Sequence, residues 1–191
     1  MRLSTVLYVP SDIDVEAQDT SGAYVYYGAY AIDDRDVYIN PTCLPSSGSL
    51  FPVGVSTVNC TAVDSAGNQA EAHFNVTVDP PFQLRLTVGG FGTASTKTGL
   101  ATATGTVGCN RAATVYLTAT VSQVVAGRAT VQGSSQVAVN CVAPSVTWTA
   151  QVTSSNGGFL PGKATVDASV FACPYYCHNA SASRVVTLRG M

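Results

Sequence analysis

The chain has 191 residues and a formal net charge of −2, and only 10% of its residues are charged. That length suits one large domain or two of modest size, and the few cations, seven Arg and two Lys, are scattered, which excludes a phosphate-tracking surface for nucleic acid. Thr, Ser, Val, Ala and Gly dominate, no window shows a helical apolar stripe, and no apolar run approaches the length of a membrane span, so the composition reads as all-β with many short strands and polar turns, and without membrane insertion.

The first strand is expected around Leu3 to Val9, where Pro10 bars a central ladder position. Met1 to Val9 is too short for a signal peptide and leads straight into that strand. Ile13 to Ala17 reads as a second strand and Asp19 to Gly22 as a turn. Tyr24 to Tyr30 holds four tyrosines. Alternation puts Tyr24, Tyr26 and Gly28 on one face and Val25, Tyr27 and Ala29 on the other. Asp33, Asp34, Arg35 and Asp36 form a charged loop, and Tyr38 to Leu44 reads as a strand carrying Cys43. Phe51-Pro52-Val53-Gly54 is punctuation, since Pro and Gly in one short run break a regular element. From Thr57 to Ala62 the pattern alternates, with Val58, Cys60 and Ala62 on one side. Asp64 to Asn68 is a turn with a mechanism: Asp64 and Asn68 bond their own backbone and Gly67 permits a positive φ. His73 to Val78 alternates again, with Phe74, Val76 and Val78 inward.

These residues carry a resemblance. Ser47-Gly48, Phe51-Pro52-x-Gly54, Thr57-Val58-x-Cys60-Thr61-Ala62-x-Asp64-x-Ala66-Gly67-Asn68 and Phe74-x-Val76-Thr77-Val78 resemble the closing half of a hyalin-repeat (HYR) module, an immunoglobulin-like extracellular domain. Upstream, Pro10-Ser11-Asp12-Ile13-Asp14-Val15-Glu16-Ala17 is similar to the family's opening, so the resemblance covers about the first 80 residues. Many members carry further cysteines; here only Cys43 and Cys60 fall in the region, so any bridge is the inner one. The resemblance implies an extracellular adhesion or spacer role without catalytic activity.

Asp79-Pro80-Pro81 reads as an extended linker, giving expected domains at 1–79 and 83–191 with a proline linker at 80–82. In the second half, strands are expected at Gln83 to Val88, Leu100 to Cys109, Ala113 to Val121, Arg128 to Gln132, Gln136 to Cys141, Val146 to Val152, Lys163 to Phe171 and Ser183 to Leu188, with Gly89 to Gly92 a loop. Trp148, the only tryptophan, is expected to anchor that core. Phe51-x-x-Gly54-x-x-Thr57-Val58 recurs as Phe159-x-x-Gly162-x-x-Thr165-Val166, an internal similarity at a domain-sized period. The second half resembles, more loosely, an immunoglobulin-like module of bacterial secreted proteins. Two tandem immunoglobulin-like β-sandwiches are the expected fold.

Six cysteines allow fifteen connectivities. Cys43 and Cys60 pair with each other or cross the linker. Cys173 and Cys177 flank a loop of hairpin size, and Cys109 and Cys141 sit at strand ends. The expected bridges are Cys43–Cys60, Cys109–Cys141 and Cys173–Cys177, which imply an oxidising compartment and an extracellular or cell-surface location.

No catalytic constellation is evident. His73 points outward from a closing strand and His178 lies in a loop; neither accompanies a nucleophile elbow or a zinc motif. Cys173-Pro-Tyr-Tyr-Cys177 has three intervening residues where the redox motif has two. Asp33, Asp34 and Asp36 on one loop and Asp64 with Asn68 on another are oxygen clusters of the kind that hold calcium, but without EF-hand spacing, so no metal and no cofactor are expected. Asn59, Asn75 and Asn179 head glycosylation triplets. The candidate binding residues are aromatic: Tyr175 and Tyr176 at the tip of a disulfide-closed loop, and Tyr24, Tyr26 and Tyr27, with Tyr30 in the same patch. Rigid amphipathic rings lose little entropy on binding, and sugar rings stack on them. The expected function is a non-enzymatic structural and adhesion module, a stiff two-domain rod presenting loops to a surface protein or polysaccharide. The alternative is a carbohydrate-binding accessory module of a secreted hydrolase that uses these tyrosines.

Overall fold

A computed structural model describes residues 5–34, 38–127, 129–142 and 144–191. Leu3 and Ser4 of the expected first strand, Arg35 and Asp36 of the charged loop, and Arg128 lie outside the described residues. Those described form sixteen β-strands and no helix. They divide into two compact units, Met1–Pro81 and Phe82–Met191.

The first unit contains β1 (Val6–Tyr8), β2 (Ile13–Glu16), β3 (Ala23–Val25), β4 (Tyr30–Ile32), β5 (Thr42–Leu44), β6 (Ser49–Phe51), β7 (Gly54–Val63) and β8 (Gln69–Asp79). Its larger sheet has the order β2-β8-β7-β5, and β1–β4 and β3–β6 form two-stranded ribbons. The alternation in β7 and β8 buries Val58, Cys60, Phe74, Val76 and Val78 against Ala23 and Val25 of β3 and Phe51 of β6. The tight turn between β7 and β8 keeps Val58 opposite Phe74 and Cys60 opposite Ala72. The stretch from Tyr24 to Tyr30 is two strands joined by an irregular crossing, not one. The run before Pro52 is a strand, β6, because Phe51 is wholly buried and Leu50 pairs with Tyr24; the punctuation begins one residue later than its composition suggests.

The second unit contains β9 (Leu84–Val88), β10 (Phe91–Ala94), β11 (Ala101–Cys109), β12 (Ala113–Val125), β13 (Ala129–Cys141), β14 (Val146–Val152), β15 (Gly162–Ala172) and β16 (His178–Gly190). Strands β13-β12-β15-β16 form one layer, and β11 with β9 and β14 the other; β10 pairs with both β16 and β11 and joins them. Trp148, Phe159, Leu117 and Leu188 are the largest wholly buried side chains between the layers. The glycine-rich stretch expected to be a loop is therefore partly β10, which runs parallel to the last strand. The stretch from 129 to 141 is a single strand, because Gly133, Ser134 and Ser135 stay in register with Val121, Thr120 and Ala119 of β12.

The internal sequence echo is structural. Gly54 and Gly162 each start a long strand at positive φ, 114° and 144°, where an L side chain is strained. Phe51 and Phe159 are each fully buried three residues earlier. In each unit this strand forms a hairpin with the closing strand, and a four-residue strand near the start of the unit, β2 or β10, pairs parallel to that closing strand. The two units are immunoglobulin-like sandwiches built on one plan.

Candidate functional site

All six cysteines are bridged, Cys43 to Cys60, Cys109 to Cys141 and Cys173 to Cys177. Cys43 and Cys60 stand directly opposite each other on β5 and β7. Cys109, at the end of β11, and Cys141, at the end of β13, tie the two layers of the second unit together.

Turn geometry sets the tyrosines of the first unit. Ser47 bridges to the backbone of Tyr27: its hydroxyl accepts from the Tyr27 N–H at 2.9 Å and donates to the Tyr27 carbonyl at 2.7 Å. The Gly48 N–H donates to the Val25 carbonyl at 2.8 Å. Pinned this way, Tyr27 turns inward. Its ring meets Phe74 edge-on at 4.9 Å, its hydroxyl donates to the Pro45 carbonyl, and burial raises its pKa. It is a packing residue, apart from Tyr24 and Tyr26. Tyr26 turns outward and its ring lies against Gly48, where an added Cβ would come within 3.0 to 3.6 Å of three ring atoms. Tyr26 is 78% exposed, so the ring touches the turn along one side and leaves most of its surface open. Tyr24 and Leu50, paired across β3 and β6, continue the exposed strip.

A second aromatic surface joins Tyr30 to two tyrosines that the sequence did not single out, Tyr8 and Tyr38. Tyr8 and Tyr30, opposite each other on β1 and β4, stack at 4.9 Å, and Tyr38 stacks on Tyr30 at 6.5 Å. Val6 and Ile32, the neighbouring pair, are exposed on the same side. The three rings are nearly parallel, with interplanar angles of 15° and 9°, so their inner faces cover one another. This row is a ladder of stacked phenols, whereas Tyr26 stands alone and open. Alternation within β1 marks Tyr8 as outward, but only the register of β1 on β4 brings it to Tyr30.

In the second unit Tyr175 and Tyr176 sit on the Cys173–Cys177 loop, 46% and 62% exposed. The Arg111 guanidinium lies 5.4 Å from the Tyr175 ring centre and 5.2 Å from that of Phe82, a cation–π arrangement that fixes Tyr175. His178 packs edge-on against Phe82 at 5.2 Å. A separate concavity of about 580 Å³ is lined by hydroxyls and amides, among them Thr120, Gln132, Ser134, Ser154 and Asn156.

The acidic residues serve turns. Asp64 accepts from the Asn68 side-chain amide at 2.7 Å and from the backbone N–H groups of Ala66 and Asn68 at 2.9 and 2.7 Å. These bonds, led by that from the Asn68 side chain, hold its carboxyl below the usual 3.8. Gly67 completes the turn at φ 85°. Asp19 is lowered likewise, first by the Ser21 hydroxyl. Asp33 is buried and accepts from the Thr5 hydroxyl at 3.4 Å. Among the described residues no group of three or more His, Cys, Asp or Glu side chains is spaced to hold a metal ion. His73 stands outward on β8, opposite Asn59, and the Asn75 side chain accepts from Thr57 at 3.0 Å.

The architecture defines an all-β protein of tandem immunoglobulin-like modules. Residues 6–78 match the model of the HYR domain, so the first unit is a module of that type. No curated protein matches the sequence. Among solved structures the chain is similar to dimeric latent PorU from Porphyromonas gingivalis, at 12% identity and TM-score 0.38 over 100% of this chain. It is also similar to a Ca²⁺-stabilised adhesin that helps an Antarctic bacterium bind ice, at 14% identity and TM-score 0.40 over 98% of this chain. A third is mouse cadherin-23 EC22–24, at 11% identity and TM-score 0.37 over 99%. The chain spans 20%, 49% and 65% of those proteins, less than two thirds of each.

Proposed function

We propose that this chain is a non-enzymatic adhesion module that works outside the cell or at its surface and presents fixed contact surfaces to a surface protein or polysaccharide. The observation that carries the reading is the HYR match over residues 6–78. Pairing of all six cysteines supports it, because such bridges persist in oxidising compartments. A second reading, carbohydrate recognition in the service of a secreted hydrolase, is favoured by one feature: the exposed Tyr26 ring held against the Gly48 turn. A flat aromatic face backed by a rigid turn stacks on the apolar face of a sugar ring at little entropic cost.

The test is retention of the intact chain on immobilised and insoluble polysaccharides and on immobilised surface proteins. The Tyr24→Ala/Tyr26→Ala and Tyr175→Ala/Tyr176→Ala variants run beside it, with circular dichroism to confirm folding. Saturable polysaccharide binding lost only in the first variant supports carbohydrate recognition through Tyr26. Binding lost only in the second moves the site to the Cys173–Cys177 loop. Retention on proteins alone supports protein adhesion. Turnover of any substrate overturns both readings.

A further inference from the structure

Sites for small ligands are largely pre-formed concavities of about 300–1,000 Å³ in which a few fixed polar groups set the orientation. The concavity of about 580 Å³ in the second unit has this form. Its floor is the outer face of β12 and β13, where Thr120 stands opposite Ser134. Its wall is the segment from Thr153 to Asn156. That wall is bonded to the sheet. The Asn156 side-chain amide donates to the Thr130 carbonyl at 2.9 Å, and its oxygen accepts from the Gln132 N–H at 3.3 Å and from the Ser154 hydroxyl at 2.7 Å. Gly133 bridges to Ser154, an approach so close that a Cβ on Gly133 would stand 2.1 Å from the Thr153 carbonyl oxygen. The cleft is thus shaped before any ligand arrives.

The floor continues along the sheet. Outward residues fall at every second position of β12, so Thr118 and Tyr116 extend the line from Thr120. Thr118 lies between Gln136 of β13 and Ser169 of β15. Tyr116 lies opposite Phe171, and the two rings, 52% and 50% exposed, stack at 5.2 Å. From Thr120 to Tyr116 the strand runs roughly 14 Å. Among the described residues, the side chains of Thr118, Thr120, Ser134, Gln136 and Ser169 make no hydrogen bond within the protein.

These groups select a ligand class. A Ser or Thr hydroxyl both donates and accepts, as does the Gln amide, and a sugar hydroxyl needs both from its partners. Asp167, opposite Thr120, is the one charged side chain in these rows. It accepts from a sugar hydroxyl, whereas an anionic glycan or a phosphate backbone meets a like charge there and no cation. A protein partner is poorly matched, because the anchors of protein interfaces are Trp, Tyr and Arg in enclosed pockets, with Ser and Thr under-represented. We propose that this cleft, with the hydroxyl rows leading from it to the Tyr116–Phe171 pair, binds a neutral polysaccharide. One sugar ring sits between Thr120, Ser134 and the 153–156 wall, and the chain runs on over Thr118 to stack on the aromatic pair. The inference rests on the polysaccharide arm of the reading above for its ligand class, and it uses residues apart from Tyr26 and the Cys173–Cys177 loop.

The test is titration of the whole, isotopically labelled chain with cellohexaose, xylohexaose, maltohexaose and chitohexaose, followed at single backbone amides by NMR, with hexagalacturonate as the anionic control. The expected result is saturable shifts at residues 116–120, 134–136 and 153–156 with at least one neutral chain. Tyr116→Thr, which keeps a β-favouring residue, weakens that binding about fivefold. Thr120→Val, which removes only the hydroxyl, weakens it about threefold or more. Circular dichroism checks that both variants fold. In the retention test above, polysaccharide binding then survives in both the Tyr24→Ala/Tyr26→Ala and the Tyr175→Ala/Tyr176→Ala variants. Saturable shifts at Tyr26 or at the Cys173–Cys177 loop instead keep the polysaccharide reading and overturn this site. No shift with any neutral chain, preference for hexagalacturonate, or affinity indifferent to both substitutions also overturns it. Absence of retention on every polysaccharide removes the reading itself.

Discussion

Gly105→Ala is the sharpest probe of how the second unit is packed. Gly105 lies on β11 between Val88 of β9 and Trp148 of β14. A Cβ there would stand 2.0 Å from the Thr87 carbonyl oxygen and 2.6 Å from two atoms of the indole. The indole N–H of Trp148 donates to that same carbonyl at 3.1 Å. One methyl group therefore collides with both partners of a hydrogen bond, and neither can retreat into space, since Trp148 is 1% exposed. Overpacking of this kind costs about 1–3 kcal/mol, and a separated buried donor and acceptor about as much again, for a total of roughly 2–6 kcal/mol. For a domain near 100 residues each kcal/mol lowers Tm by about 4–8 °C, so the variant melts at least about 8 °C lower. The assay is a urea titration followed by fluorescence. Trp148 is the only tryptophan, so its signal reports the second unit alone. Gly90→Ala, in the same unit and with the Arg184 guanidinium no nearer than 3.4 Å to its Cβ position, is the control and shifts stability by no more than about 0.5 kcal/mol. A Gly105→Ala loss under about 1 kcal/mol would refute the placement of the indole.

The two bridges of the second unit close loops of very different size, with sequence separations of 32 and 4. In the chain-entropy account, Cys109→Ala/Cys141→Ala costs roughly 3–4 kcal/mol and Cys173→Ala/Cys177→Ala about 2, an order that denaturant midpoints check directly. Tyr27→Ala, which empties the contact with Phe74, lowers the unfolding free energy of the first unit by about 2–4 kcal/mol in a urea titration, while Tyr26→Ala leaves it within about 0.5 kcal/mol; equal effects would contradict the inward and outward assignment. The folded Asp64 carboxyl has a pKa below its unfolded value. Its contribution is thus present above the unfolded value and lost as pH falls through the folded one. Melting of the first unit between pH 7 and pH 2, followed by near-ultraviolet dichroism, should weaken below about pH 4, and less steeply in Asp64→Asn.

What the sequence revealed of the fold lies in its alternation. Val58 to Ala62 of β7, Phe74 to Val78 of β8, Val115 to Val121 of β12 and Trp148 to Val152 of β14 keep every second residue apolar and buried, and that period survives any tertiary context. Where local chemistry competes, the reading slips. Pro52 and Gly54 conceal β6, Gly89 to Gly92 conceal β10, and Gly133-Ser134-Ser135 imitate a turn inside β13. In each case a partner strand supplies the hydrogen bonds that composition argues against. The HYR resemblance was legible because its residues mark turns and a hairpin that are local in sequence, and the match over 6–78 carries the same assignment. The Tyr8–Tyr30–Tyr38 ladder was not legible, since alternation sorts residues by face and says nothing about which strands become neighbours. Tyr26 was named as a binding candidate on the face opposite Val25 and Tyr27, but its support depends on Gly48, twenty-two positions away, which no local pattern connects to it.

The parallel pairing of β2 with β8 and of β10 with β16 also bears on how each unit carries mechanical load. The two strands of each pair point the same way, so a pull that separates the ends of a unit drives them past each other along their length. All four residue pairs of the ladder, Ile13 to Glu16 against Val76 to Asp79 and Phe91 to Ala94 against Thr187 to Gly190, then bear the force at once. An antiparallel hairpin pulled at its open end would surrender its bonds one by one. Each unit is thus clamped by a short patch loaded in shear, and a proline at Thr93, within that patch, would lower the force at which the second unit gives way in single-molecule pulling.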